Sequence, residues 1–495
     1  MNSRYLKAEV RLFAGLLVLL LAWSVFPEKV FAQNVYAAIH GTVTDPSGAV
    51  VSNASVMVTN TSTGISSQQT TDNKGYYIFP QLAIGGPYTV SITATGFQSF
   101  KTVGLVLQLN ENRQVDAVLQ PGAVAQTIEV TANAIQVETS DTQLKTTVTS
   151  NQIEQLPLLG RDPTALQKLT PGTVESSDRF GNFSANGSQT QENAYLLDGA
   201  DINDTPLQTN SVPINPDAIG ETTFVTGTQN PEYSRNSGAI INQTLKSGTN
   251  SFHGDAFEFY RDTFLNNGNY FSTTRPVFHQ NIFGGTLGGP VIKNRLFFFL
   301  AYQGLRNSTA TTTVTPVPTD AQLGRNSTGF ADLTNDNNVA NSGPNTSVGL
   351  TSNPLPFTIQ GPGGTPCPAG TPWNQCFPGP TYQLPVSDFN SISSNLLAKY
   401  VPSPNFNGKF YNFNAANTAG ADQGIIRIDT KVTANDQLWA SSIFQSNPSL
   451  NALPFTGSTL PGFAQDASRH FKIFSASWTH SFNPTTLNEL RAGYY

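Results

Sequence analysis

Cysteine is nearly absent from this 495-residue chain, with only two copies, and just 12% of residues are charged. No Lys/Arg cluster appears anywhere, and the net charge is −6, so no basic face is offered to DNA or RNA. None of His40, His253, His279, His470 and His480 sits in a His-x-x-Glu pair, and no G-x-S-x-G elbow is present. Zinc-peptidase and serine-hydrolase chemistry are therefore not written here, and neither an enzyme nor a cofactor is expected. The two cysteines, Cys367 and Cys376, fall in "TPCPAGTPWNQCF" with no histidine nearby. A metal site needs more ligands than this. In an oxidising compartment the pair is expected to close a small disulfide loop. Apart from one stretch at the N-terminus, no apolar run approaches the ~20 residues of a spanning helix.

That N-terminal stretch is informative. Arg4, Lys7 and Arg11 precede an apolar run from Leu12 to Val25, and Val30-Phe31-Ala32 offers a small-residue cleavage site before Gln33. Residues 1–32 read as a secretory signal peptide. Beyond it, Gly, Pro, Ser, Thr and Asn are abundant and mean hydropathy is close to zero. This composition favours short strands and turns over helices.

Between residues 38 and 121 about seven short strands are expected: "AIHGTVTD", "SVMVTNT", "SSQQTTD", "GYYIFP", "YTVSITATG", "FQSFKTVGL" and "RQVDAVL". Val56 and Val58 alternate with Met57 and Thr59, and Val90 and Ile92 with Ser91 and Thr93, so each strand can bury one side. Asp45-Pro46-Ser47-Gly48 and Asp72-Asn73-Lys74-Gly75 are turns with Asp as cap and Gly at positive φ. This stretch resembles the carboxypeptidase regulatory-like domain, a transthyretin-like sandwich grouped with carbohydrate-binding-like folds.

Residues 122–250 change character. In "NQIEQLPLLGRDPTALQKLTPG", Ile153, Leu156, Leu166 and Leu169 are expected on the apolar side of short helices interrupted by Pro157 and Pro163. Composition here suggests a mixed α/β module. "LPLLGRDPTALQKLTPG", "ANGSQTQENAYLLDGADIN", "NSGAIINQTLKSGTNSFHG" and "FGGTLGGPVIKNRLFFFLAYQGLR" together are similar to the plug and first barrel segments of Oar-like TonB-dependent outer-membrane receptors. The resemblance implies a periplasmic sandwich, a plug inside a large barrel, and uptake driven by the TonB complex. By it, Thr127, Ile128, Glu129, Val130, Thr131 and Ala132 resemble a TonB box, the sandwich's exit strand or a linker being the other reading. Leu197, Asp198, Gly199, Asp201 and Asn203 resemble the plug motif, with a turn held by Asx hydrogen bonds as their expected role. Arg161 and Arg179 are candidates to pair with lumen carboxylates.

Residues 251–495 show strand patterns with one apolar and one polar face. Ile426, Ile428, Thr430 and Val432 alternate with Arg427, Asp429 and Lys431, and "TAND" turns the chain into Gln437 to Ser446, with Leu438, Ala440 and Phe444 along one edge. Ser251–Asp262, Arg295–Arg306, Arg469–Phe482 and Thr486–Tyr495 repeat the pattern. In an outer-membrane barrel the apolar faces meet hydrocarbon and Arg427, Asp429 and Lys431 point inward. Phe297, Phe298, Phe299, Tyr302, Trp478 and Tyr494 suit aromatic girdles. From periodicity alone a second soluble sandwich stays open. About residues 315–424 are expected as a long extracellular loop, with one helix at Ser387–Tyr400. A plugged lumen needs ~22 strands, so the chain reads as a fragment or truncation.

The fold class expected is thus mainly β: a seven-stranded sandwich, a small α/β plug and the first strands of an incomplete outer-membrane barrel. Its expected partners are the TonB complex, outer-membrane lipid, the barrel assembly machinery and an extracellular ligand, glycan or peptide. A surface or periplasmic carbohydrate-binding protein without transport is the alternative.

Overall fold

A computed structural model describes residues 36–494, apart from 123–126, 132–142, 157, 177–182, 205–206, 211, 229–235, 267–274, 276, 327, 333–358, 361–365, 369–382, 455–461 and 484–485. The expected signal peptide, Ala132, Arg179 and Cys376 lie outside the described residues, as does the side chain of Cys367.

The first strands are β1 (Ala37–Thr44), β2 (Ser55–Asn60), β3 (Ser66–Thr70), β4 (Tyr76–Leu82), β5 (Gly85–Thr93), β6 (Ser99–Leu107), β7 (Asn112–Gln114), β8 (Ala117–Val118) and β9 (Thr127–Thr131). They form two sheets, β4-β1-β7 with β8 also on β1, and β3-β2-β5-β6-β9. Ile39, Val56, Val58, Tyr77, Val90, Ile92 and Leu107 fill the space between them. The alternation seen in the sequence is thus what buries one side of each strand. The turns are built as expected. Asp45 Oδ1 accepts from the Ser47 and Ala49 amides, both at 2.9 Å, and Asp72 Oδ1 from those of Lys74 and Tyr76, both at 2.8 Å. Gly75 has φ +71°, and a Cβ there would lie 2.7 Å from the Val43 carbonyl oxygen.

The next unit comprises β10 (Leu144–Thr149), helix α1 (Ser150–Gln155), β11 (Thr173–Glu175), β12 (Phe183–Ala185), β13 (Ala194–Leu197), β14 (Ala200–Asp201), β15 (Ile219–Gly227) and β16 (Ile240–Leu245). Its main sheet runs β10-β15-β16-β13-β14. Of the four leucines and isoleucines expected on one apolar side, Ile153 and Leu166 are buried, whereas Leu156 and Leu169 are exposed. The reason is a change of helical period. Beyond α1 the chain forms only 3-10 turns, at Leu159–Arg161 and at Pro163–Leu169, so no single stripe continues.

The third unit is a meander of long antiparallel strands: β17 (His253–Asp262), β18 (Val277–Ile292), β19 (Leu296–Pro316), then β24 (Phe410–Lys431), β25 (Asp436–Asn451), β26 (Gln465–Asn483) and β27 (Thr486–Tyr494), in that spatial order. Between β19 and β24 lie the short pieces β20 (Phe330–Asp332), β21 (Ile359–Gln360), β22 (Pro366–Cys367) and β23 (Gln383–Pro385), and helix α2 (Ser391–Tyr400), capped by Asn390. The irregular connection is shorter than expected, because residues 410–424 belong to β24, paired with β19 throughout. Its Asn, Ala, Thr and Gly side chains carry no apolar alternation to read. Strand β18 carries no apolar alternation either, four of its residues being glycine, and its second half, from Phe283, is reached only through the resemblance to the first barrel segments. The glycines allow close approach: a Cβ on Gly284 would sit 2.1 Å from the Tyr302 carbonyl oxygen.

The two faces of this wall differ sharply. Phe299, Ala301, Ile425, Ile443 and Ile473 are buried in one cluster with the plug residues Val148, Tyr195, Leu197, Phe224 and Ile241. The opposite positions, Leu300, Ile426, Ile428, Leu438, Phe444, Phe474 and Trp478, are exposed. The aromatic expectation needs one correction, since Phe297 and Phe299 point inward and are fully buried. Phe298, Tyr302, Trp478 and Tyr494 do face outward. Phe283–Tyr302 and Phe444–Phe474 ring pairs, with centroids 6.3 and 5.6 Å apart, join neighbouring strands on that side, and Phe252, just before β17, lies 6.3 Å from Phe298 of β19.

Candidate functional site

Arg427 of β24 is the centre of the plug–wall contact. Its Nη1 donates to Asp198 Oδ1 at 2.9 Å and to the Leu245 carbonyl at 3.4 Å. Nη2 and Nε hold Asp429 at 2.9 and 3.0 Å, and the guanidinium lies 5.0 Å from the Trp439 ring centroid. Asp198 is placed for this by local geometry. Leu197 pairs with Ala200, so Asp198 and Gly199 form a two-residue hairpin turn, and both have positive φ, +47° and +74°. The Asp198 carboxylate also accepts the Leu245 amide at 3.1 Å. Elsewhere in the motif, Asp201 Oδ1 accepts the Asn203 amide and Asn203 Oδ1 the Tyr195 amide, each at 2.8 Å. Asp201 thus makes the Asx turn, whereas Asp198 reaches across to the wall.

A second contact is neutral. Gln423 of β24 accepts the Asn215 amide at 2.7 Å and donates to the Pro213 carbonyl at 2.8 Å. Arg161 pairs with Asp217, a carboxylate of the plug itself, and its guanidinium lies between the Phe257 and Phe259 rings, 4.3 and 4.2 Å from their centroids. Arg161 thus bonds a plug carboxylate and meets the wall through aromatic faces, while Asp255 of β17 adds a longer-range attraction. Sequence periodicity finds Arg427 but misses Gln423, because a glutamine among small polar residues carries no signal.

The sandwich docks where the wall makes its short turns. Tyr36 Oη accepts from Trp439 Nε1 at 3.2 Å, Lys431 Nζ donates to the Ser66 carbonyl at 2.6 Å, and the Asn250 amide donates to the Ser62 carbonyl at 2.9 Å. A cavity of about 350 Å³ lies at this junction of all three units, lined among others by Tyr36, Tyr88, Glu221, Lys246, Arg427 and Trp439. Glu221 joins sandwich to plug by accepting the Leu109 amide at 3.0 Å. Burial pushes its carboxyl up to about 7, with Glu111 adding to the rise and the Leu109 bond and Lys145 opposing it. The folded protein therefore holds a proton that an unfolded chain releases near the ordinary 4.5. The contribution of Glu221 to stability is full below that value and is lost as pH rises through about 7, about 3 kcal/mol in all. Glu221→Gln is expected to flatten this slope, as measured by thermal unfolding in detergent across the window. An unchanged slope would point to another group.

Thr127, Ile128, Glu129, Val130 and Thr131 form β9, which pairs in parallel with β6 at the edge of the five-stranded sheet. Lys101 Nζ lies 3.2 Å from Glu129 Oε2 across this pair, both side chains exposed.

Comparison with known families matches residues 38–120 to the carboxypeptidase regulatory-like domain, 138–240 to the TonB-dependent receptor plug domain and 244–495 to an outer membrane beta barrel domain. The TonB-dependent transporter Oar of Myxococcus xanthus is 29% identical over 303 residues, which are 58% of this chain and 28% of that protein. The chain thus spans under a third of that relative's length. Among solved structures, a ferric enterobactin receptor from Pseudomonas aeruginosa in complex with enterobactin aligns over 69% of this chain and 39% of its own, at 12% identity and a TM-score of 0.38. A hydroxyquinol 1,2-dioxygenase from Pseudomonas putida covers 18% of this chain and 58% of its own, at 13% identity and a TM-score of 0.16. Neither structural likeness is close enough to bear on function. With the barrel family matching half of the sequence, behind a matched plug and a matched sandwich, the chain belongs to the TonB-dependent outer-membrane receptors, proteins of the Gram-negative outer membrane whose N-terminal domain lies in the periplasm.

Proposed function

We propose that this chain forms the periplasmic and plug portion, with the first wall strands, of a receptor that takes up a bulky glycan or peptide with energy from the TonB complex. The observation that carries this is the Arg427–Asp198 clamp inside a wall whose other face is apolar. Plug and wall also share an apolar cluster, and among the described residues Arg427 and Gln423 add polar contacts to it. Outer-membrane lipid solvates the outward face, and the barrel assembly machinery inserts the strands. No catalytic step is assigned.

Residues 127–131 are the proposed contact for TonB, by strand addition, which asks for extended backbone more than for particular side chains. The chain in detergent is expected to bind the purified C-terminal domain of TonB. Proline at two adjacent positions, Ile128→Pro or Glu129→Pro, removes an N–H from one side of the strand or the other, and at least one of the two is expected to weaken that binding tenfold or more. Binding unaffected by both prolines would move the coupling contact elsewhere.

A further inference from the structure

We infer that the sandwich presents the coupling strand already extended, and that the partner's strand adds to the free edge of β9 as a sixth strand while β9 stays paired with β6. This rests on the TonB-contact reading of residues 127–131 and specifies how that contact is made.

The two edges of the sheet β3-β2-β5-β6-β9 are treated differently. The β3 edge carries the polar sequence Ser-Ser-Gln-Gln-Thr and lies against the wall, with the Ser66 carbonyl bonded to Lys431. At the opposite edge, β9 has the sequence Thr-Ile-Glu-Val-Thr, with no proline, no lysine and no further strand beside it among the described residues. Natural sheets guard open edges with lysine, proline or bulges. This one has no lysine, proline or bulge, its one charged residue, Glu129, is paired with Lys101 of β6, and its other four residues are β-branched.

In a parallel pair the backbone groups of alternate residues point to alternate sides. Docking on β6 therefore leaves the outward N–H and C=O groups of β9 available to a second strand. A five-residue segment already fixed in the β region loses little further backbone entropy when that strand arrives. The occupant is an extended segment of the energy-coupling protein rather than a second copy of this chain. An antiparallel β9–β9 pair centred on Glu129 would set two carboxylates directly opposite each other, which is unfavourable.

Two measurements on the full chain in detergent decide the matter, using the purified C-terminal domain of TonB as probe. Amide exchange is expected to slow along residues 127–131 on adding the domain, with no loss of protection along residues 99–107. A tenfold or greater rise in exchange along 99–107 would mean that β9 leaves the sandwich, overturning the proposal. So would protection of 127–131 in a self-associated chain before any domain is added.

Lys101→Glu supplies the second measurement, replacing the exposed ion pair by like charges across β6 and β9 and so loosening their pairing. If β9 had to be released first, this substitution would tighten TonB binding severalfold, because apparent affinity scales with the released fraction. Addition at the free edge predicts equal or weaker binding, and a threefold or greater tightening overturns it. If the unmodified chain does not bind the domain, or the prolines at 128 and 129 both leave binding intact, the coupling reading itself has failed.

Discussion

Replacing Arg427 by alanine is expected to loosen the plug from the wall by about 3–5 kcal/mol, the usual consequence of removing one partner from a buried charge cluster. The loss exceeds one hydrogen bond because Arg427 serves two carboxylates at once, Asp198 from the plug and Asp429 from its own strand. Asp198 is only 2% exposed, and water cannot replace the guanidinium there without opening the contact. Arg427→Lys should be intermediate: a single ammonium keeps the charge but cannot bridge Asp198, Asp429 and the Leu245 carbonyl in one plane. Asp198→Asn is expected to cost less, about 1–3 kcal/mol, since Arg427 keeps Asp429 and the hairpin turn is preserved. The measurement is the urea concentration at which amides of β13 and β16 lose protection while those of β24 and β25 keep theirs. Loss of both sets together would mean that the clamp stabilises the wall, not the seating of the plug.

This clamp also shows what the sequence could and could not reveal. Alternation across residues 425–431 placed Arg427 on the inward face, because a period of two assigns every side chain to one side once the apolar side is known. It could not supply the partner, for Asp198 lies 229 residues earlier and meets Arg427 only after the plug has folded into the wall. The first six sandwich strands were legible, since their turns are local Asp and Gly devices, whereas the expected seventh is split into β7 and β8 and the sheet gains β9 beyond the expected boundary. Strand β18 and the first half of β24 were not, because glycine and small polar residues can pair in a ladder without showing which face is buried. β9 illustrates a third case. Thr-Ile-Glu-Val-Thr reads equally as an exit strand or as a coupling segment, and the structure makes it an edge strand, a position compatible with both.

Ile426→Lys is expected to destabilise the membrane-inserted protein by about 2–4 kcal/mol, the cost of a cation on the lipid face near the middle of the hydrocarbon band. Ile426 pairs with Leu300 in register, between Ile428 and the Asp422 that carries the first charge on that face of β24. Its 44% exposure makes the prediction discriminating. On a water-facing sheet a half-exposed isoleucine tolerates lysine within about 0.5 kcal/mol, and the same substitution would be almost silent. The adjacent inward position behaves differently. Ile425 is 1% exposed and packs in the cluster shared by plug and wall, so Ile425→Ala should cost about 2–4 kcal/mol in any solvent, through the cavity it leaves. Urea unfolding in lipid vesicles, compared for the two variants, separates the environments. A destabilisation by Ile425→Ala accompanied by a neutral Ile426→Lys would show that the outward face meets water.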